Sequence, residues 1–139
     1  MIFGEYFPDP GGQPLKESDF ERISHLNAFF AEFMGTLMLA LVVFGFTARN
    51  NKSGPGPITP IAIGIGLTTI ISVFAPITQA GLNPARDLAP RIFSSMAGWG
   101  EVPFTVNGYG WLTVYIIAPC LGALCGAFLA NQLFSSRAD

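Results

Sequence analysis

The sequence predicts an all-α membrane protein with three transmembrane helices and one re-entrant half-helix. Three observations carry this. Half of the 139 residues are apolar, against seven basic and nine acidic side chains. Three apolar runs carry one charge or none, and each is long enough to cross a hydrocarbon layer that needs about twenty helical residues. A fourth, shorter apolar run opens on an Asn-Pro step. A soluble domain carries roughly a quarter charged residues, and the mean hydropathy of +0.48 also points to lipid.

Other classes fall away on the same arithmetic. A nucleic-acid binder needs a clustered basic face, whereas the formal net charge is -2 and no window concentrates Lys or Arg. The opening run MIFGEYFPDPGG lacks a basic start and apolar core, so it reads as loop and not as a cleavable signal. Cys120 and Cys125 lie five apart in one apolar run, a spacing that suits packing better than zinc or a disulfide framework. His25 is the single histidine and reads as an interfacial residue. No Ser/His/Asp, Cys/His or paired-carboxylate arrangement is available, so no enzyme activity, cofactor or metal is expected.

The elements follow in order. Residues 1–27 are a Pro/Gly-rich acidic segment and interfacial stretch. The first span covers 28–47, with Glu32 as its one charge. Residues 48–57 (ARNNKSGPGP) are a turn-rich connector, and the second span covers 58–77. The third covers 112–134. All three must be helical, because lipid forces each backbone group to bond within its own segment. Small residues recur four apart at Ala118, Gly122, Gly126 and Ala130, and at Ala31 and Gly35, which lets helix backbones approach closely.

The connector 78–111 is too apolar for an exposed loop and too short to span. A re-entrant half-helix over about 84–97 fits both facts if its lead-in is buried or lines a wet cavity. Asn83 is an N-cap and Pro84 takes the first helical position, where a missing N–H is no loss. The free N–H groups and positive dipole end then point into the membrane. With an Asn amide beside them, they repel cations and donate to a hydroxyl or an anion. Arg86 sits one turn on, at a depth where an arginine favours a water-filled lining. Asp87 and Arg91 stand in the favourable order for an i,i+4 pair. Pro90 cannot donate to the carbonyl of Arg86, which leaves that oxygen free. From the residues alone, an Asn-Pro turn in an interfacial loop with a solvated arginine stays open. Glu32 is either a proton carrier or a structural acceptor.

The run GLNPARDLAPRIFSSMAGWG (81–100) resembles the second NPA loop of the aquaporin and glycerol-facilitator family, in its glycerol-facilitator branch. Asn83, Pro84 and Ala85 match the NPA box, Arg86 the filter arginine, and Asp87 with Arg91 the pair that marks that branch. AEFMGT (31–36) is similar to the opening helix of a family half-repeat, GPGPITPIAIG (54–64) to the entry into the fifth helix and APCLGALCGA (118–127) to the sixth. The resemblance thus implies half of the aquaporin-like fold over 28–139, a multi-pass protein of a plasma or inner membrane, and passive transport of small neutral solutes. Glycerol and related polyols, water and urea are the candidates.

The resemblance also implies roles. Asn83 and Arg86 would donate to a passing solute, and the carbonyls of Ala80, Gly81 and Leu82 would accept from it. Glu32 would bond the backbone of the re-entrant loop. Ile71 and Ala80 fall on filter positions where water-selective members carry histidine and glycerol channels usually carry glycine and an aromatic residue. Tyr115 replaces a common proline, while Ile116 suits the branch.

One NPA box and three spans are present where the family has two boxes and six spans. A channel would therefore draw on a complementary N-terminal half, and a full one would be tetrameric as is usual in the family. The alternatives are a non-conducting scaffold or interaction subunit, or an inverted homodimer of halves. The resemblance places 1–27, as an extracellular or periplasmic loop, and 78–111 outside the membrane. Basic residues Arg49, Lys52 and Arg137 then lie inside and Lys16, Arg22, Arg86 and Arg91 outside, a balance that the positive-inside rule does not decide.

Overall fold

A computed structural model describes residues 23–134. Within them the protein is helical and has no strand. The first 22 residues, including Lys16 and Arg22 of the charge count, and Arg137 lie outside the described part.

Helix α1 runs His25–Thr47. It starts three residues before the expected 28 because Ser24 caps it, its hydroxyl accepting from the Asn27 N–H at 3.2 Å. Asn51 closes the other end, its side-chain amide donating to the carbonyl of Gly45. Helix α2 runs Thr59–Thr78 behind a single turn at Gly56–Ile58. The half-helix α3 is Pro84–Ser94. It widens into one π-turn over Ser95–Trp99, where Gly98 adopts a φ of 107° that ends the rod. Two short helices follow, α4 (Val102–Thr105) and α5 (Gly110–Leu112). A second π-turn at Thr113–Ile117 leads into α6, Ala118–Phe134. Taken together, Gly110–Phe134 forms the third span.

The packing is inverted relative to a water-soluble bundle. Ile61, Ile65, Val73, Leu124 and Phe128 are all at least 60% exposed, and only 6% of the apolar window of the second span is buried within the chain. Lipid or further protein must cover those faces, since water would not. The buried residues are instead small or polar: Ala28, Ala31, Glu32, Gly35, Thr36 and Ala40 on α1, and Ala118, Gly122, Gly126 and Ala130 on α6. These two rows form the main seam of the fold. A Cβ at Gly122 would run into the carbonyl oxygen of Phe33 and stand 3.1 Å from the amide of Leu37, so the α1 backbone lies directly on that glycine.

The connector between α2 and α3 returns to mid-bundle. The Leu82 carbonyl accepts from the hydroxyl of Thr36, the twelfth of the 23 residues of α1, a depth of about 16 Å at 1.5 Å per residue. Near the start of α1, His25 bonds the hydroxyl of Thr113 at 2.8 Å, which ties the two spans together at the end from which α3 returns. The chain therefore enters, turns at the centre and leaves on the same side.

Candidate functional site

The site is the turn at residues 79–83 and the first turn of α3. Its backbone is unusual: Gln79, Ala80 and Leu82 all have left-handed φ, at 63°, 51° and 53°. Each such non-glycine residue costs on the order of 1–2 kcal/mol, so the surroundings must enforce the shape. Glu32 does this. It is completely buried, and its two carboxylate oxygens accept from the N–H of Gly81 (2.8 Å), the N–H of Leu82 and the hydroxyl of Thr78. Thr78 also accepts from the N–H of Ala80. Three consecutive amides, at 80–82, thus find partners at a depth where water offers none.

The far wall is Tyr115. Its hydroxyl donates to the carbonyl of Thr78 at 3.2 Å, and a Cβ at Gly81 would stand 2.9 Å from its ring. Over the same ring lies the guanidinium of Arg91, 5.2 Å from the centroid, a cation–π contact. Arg91 also takes Asp87 as a two-point partner and donates to the carbonyl of Pro103, anchoring α3 to α4. This pair lies behind the turn and faces the protein, since Arg91 is buried.

On the open side stand the groups that can meet a solute. Asn83 caps α3, its side-chain oxygen accepting from the N–H of Ala85 (2.9 Å) and Arg86 (3.4 Å). That commits the oxygen to the cap and turns the amide NH₂ group outward as a donor. Pro84 occupies the first helical position. Arg86 is exposed, and one of its terminal nitrogens donates to the carbonyls of Ala80 and Gly81. The guanidinium is thereby tied to the turn through one nitrogen, and its other donors are not engaged by it. The result is a one-sided arrangement: fixed N–H donors, a positive helix end and a permanent cation, all on one exposed face.

Two placements differ from the sequence expectation. Ala80 is fully buried in a cluster with Ile70 and Leu82, because its left-handed backbone turns the methyl inward. Only Ile71, partly buried against that cluster, offers side-chain surface at the two filter positions. The three carbonyls are also not vacant acceptors. Ala80 and Gly81 serve Arg86, and Leu82 serves Thr36, which leaves one lone pair on each. Thr36 and Thr78 are not site candidates in the sequence, and Tyr115 enters there only as the replacement for a common proline. Thr36 does stand four residues after Glu32, on the same helix face, which is a signal of a shared partner.

This architecture has known relatives. Residues 12–134 match the family described as Major intrinsic protein. The chain belongs to that family. It is 39% identical over 106 residues to the glycerol uptake facilitator protein of Haemophilus influenzae, covering 76% of this chain and 40% of that protein. It is 37% identical over 113 residues to aquaporin-7-2 of Laccaria bicolor, covering 81% and 34%. Human aquaporin-9 is 36% identical over 108 residues, covering 77% and 36%. This major intrinsic protein chain thus spans between about a third and under half the length of the curated relatives it matches. It is an integral, multi-pass membrane protein, and the bilayer is its solvent.

Proposed function

We propose that this chain supplies half of a passive transmembrane channel for water and small neutral solutes such as glycerol, and that it conducts when joined to a complementary N-terminal half. The observation that carries the reading is the exposed donor face: the Asn83 amide beside the start of α3, with Arg86 clamped onto the carbonyls of Ala80 and Gly81. Fixed donors orient a hydroxyl-bearing solute, and the arginine together with the positive helix end repels protons and cations, as in aquaporin-type pores. No bond to the solute is made or broken, so the process is transport and not catalysis. Ile71 supplies the aliphatic wall that faces the carbon side of a polyol.

The same face explains the need for a partner. A donor row on one side of a groove selects only when a second wall confines the solute against it, and α2 leaves nearly all of its surface for that wall to cover. A complementary half bearing its own NPA box is the partner we infer. Tetramer formation follows for the completed channel.

Stopped-flow swelling of proteoliposomes tests this. The chain co-reconstituted with the N-terminal half of a glycerol-facilitator relative is expected to give glycerol-driven swelling above that seen with an impermeant osmolyte. The chain alone is expected to give none. Absence of swelling in the paired sample, with both halves shown to be inserted, overturns the reading in favour of a non-conducting scaffold. Swelling by the chain alone replaces the complementary half with a second, inverted copy.

A further inference from the structure

The end of the bundle opposite α3 carries a second cavity, unconnected with the donor face. It has a volume of about 400 Å³ and lies beside the end of α1 and the last described turn of α6. Phe44, Ala127, Ala130 and Phe134 form its walls, and Arg49 and Asn131 stand at its rim. That volume falls within the range of sites that enclose small ligands, roughly 300–1,000 Å³.

Three features define what would fill it. The first is depth: Arg49 follows the end of α1, the first span, by two residues, so the cavity lies at the boundary between hydrocarbon and headgroups. The second is the division of its lining. Below, two phenyl rings and two alanines offer only apolar surface, and Phe134 is seated by Gly45, where a Cβ would stand 2.9 Å from the ring. Above, the only charge among the described lining residues is a cation. The third is that Arg49 is exposed and makes no hydrogen bond or ion pair with any described residue. By contrast, the other two arginines of the described part are engaged, Arg86 by backbone carbonyls and Arg91 by Asp87.

We propose that this cavity is a binding site for an anionic phospholipid, with the lipid phosphate on Arg49 and the upper part of an acyl chain between Phe44 and Phe134. A guanidinium matches a phosphate with two parallel N–H donors. Cationic pockets between helices at the interface select acidic headgroups on this basis. Asn51 donates to one of the open carbonyls at the end of α1, that of Gly45, which lessens the opposition of that negative helix end to the anion. The site depends only on membrane insertion and stands whether or not the chain conducts.

Native mass spectrometry of the whole chain, released from detergent after exchange into phosphatidylglycerol or phosphatidylcholine of identical acyl chains, tests this. The unaltered chain is expected to retain phosphatidylglycerol in preference. Arg49→Gln is expected to weaken that preference roughly fivefold, the factor that one interfacial arginine supplies, and Arg49→Lys to keep most of it. Ala127→Phe fills the cavity without touching the charge and is expected to lower retention of both lipids. Helical circular dichroism checks that each variant is folded. Equal retention of the two lipids, or a preference indifferent to Arg49→Gln in a folded chain, overturns the proposal. So does a preference that emerges only when residues 135–139 are removed, since the occupant would then be the chain's own terminal segment.

Discussion

Glu32 shows how much one side chain can decide in lipid. The left-handed turn at 79–82 exposes a run of backbone amides to a medium that cannot solvate them, and one carboxylate takes two of them plus the Thr78 hydroxyl that serves a third. Leaving a buried donor unpaired costs about 1–3 kcal/mol. Glu32→Gln converts one acceptor oxygen to a donor that faces an N–H, so a loss of at least that size is expected. A lowered thermal midpoint in detergent, together with new protease cleavage within 79–82, checks this. An unchanged midpoint would mean that Tyr115 and Thr36 hold the turn by themselves. The residue's identity was readable in the sequence, and its role only through the family resemblance. From the residues alone, a single acid in an apolar run is as compatible with proton transfer as with structure, and the amides it serves lie about fifty positions away.

Among the elements, α1 and α6 make the fold and α2 waits for a partner. The four-residue spacing of Ala118, Gly122, Gly126 and Ala130 identified a packing stripe; all four are buried, and Gly122 and Gly126 lie against α1. Gly122→Ala is expected to force the two backbones apart and destabilise the bundle by about 1–3 kcal/mol, read as a lowered thermal midpoint. Gly64→Ala provides the contrast. A Cβ there meets nothing within 4 Å, so the change is expected to be neutral or slightly stabilising through helix propensity, worth up to about 1 kcal/mol. Equal effects at the two positions would mean that the α1–α6 seam tolerates separation. The ends of the elements were less legible than their centres. Ser24 extends α1 beyond its apolar run because a cap depends on one hydroxyl and not on hydrophobicity. The π-turns at 95–99 and 113–117 carry no signature in residue periodicity; the second holds Tyr115, whose ring lies under the Arg91 guanidinium.

For the whole molecule, the deciding fact is asymmetry. One face of the half-bundle carries Asn83, the start of α3 and Arg86 together, while the exposed side chains of the second span are mostly apolar. A channel completed across the donor face would owe its rejection of charge to Arg86 and to the start of α3. In the paired sample, Arg86→Val is therefore expected to raise proton leak several-fold while glycerol swelling persists, because the donors of Asn83 and the helix end remain. A pH-sensitive dye trapped in the proteoliposomes measures the leak, and an unchanged leak would transfer the whole barrier to the helix dipoles.

By itself the sequence determined the class, the three spans, the reversal at Asn83-Pro84 and the family. Each of these rests on local physics: apolar length against bilayer thickness, and a capping residue followed by proline. Tertiary structure alone decided which groups in the turn are free to act. It turned the Ala80 methyl inward, spent three carbonyls on Arg86 and Thr36, and made Tyr115 a wall shared by Arg91 and Gly81. The physical reason is that hydrogen bonds in a lipid-embedded turn are made with whatever polar group lies at the same depth. Depth is set by how the helices pack, not by their order along the chain.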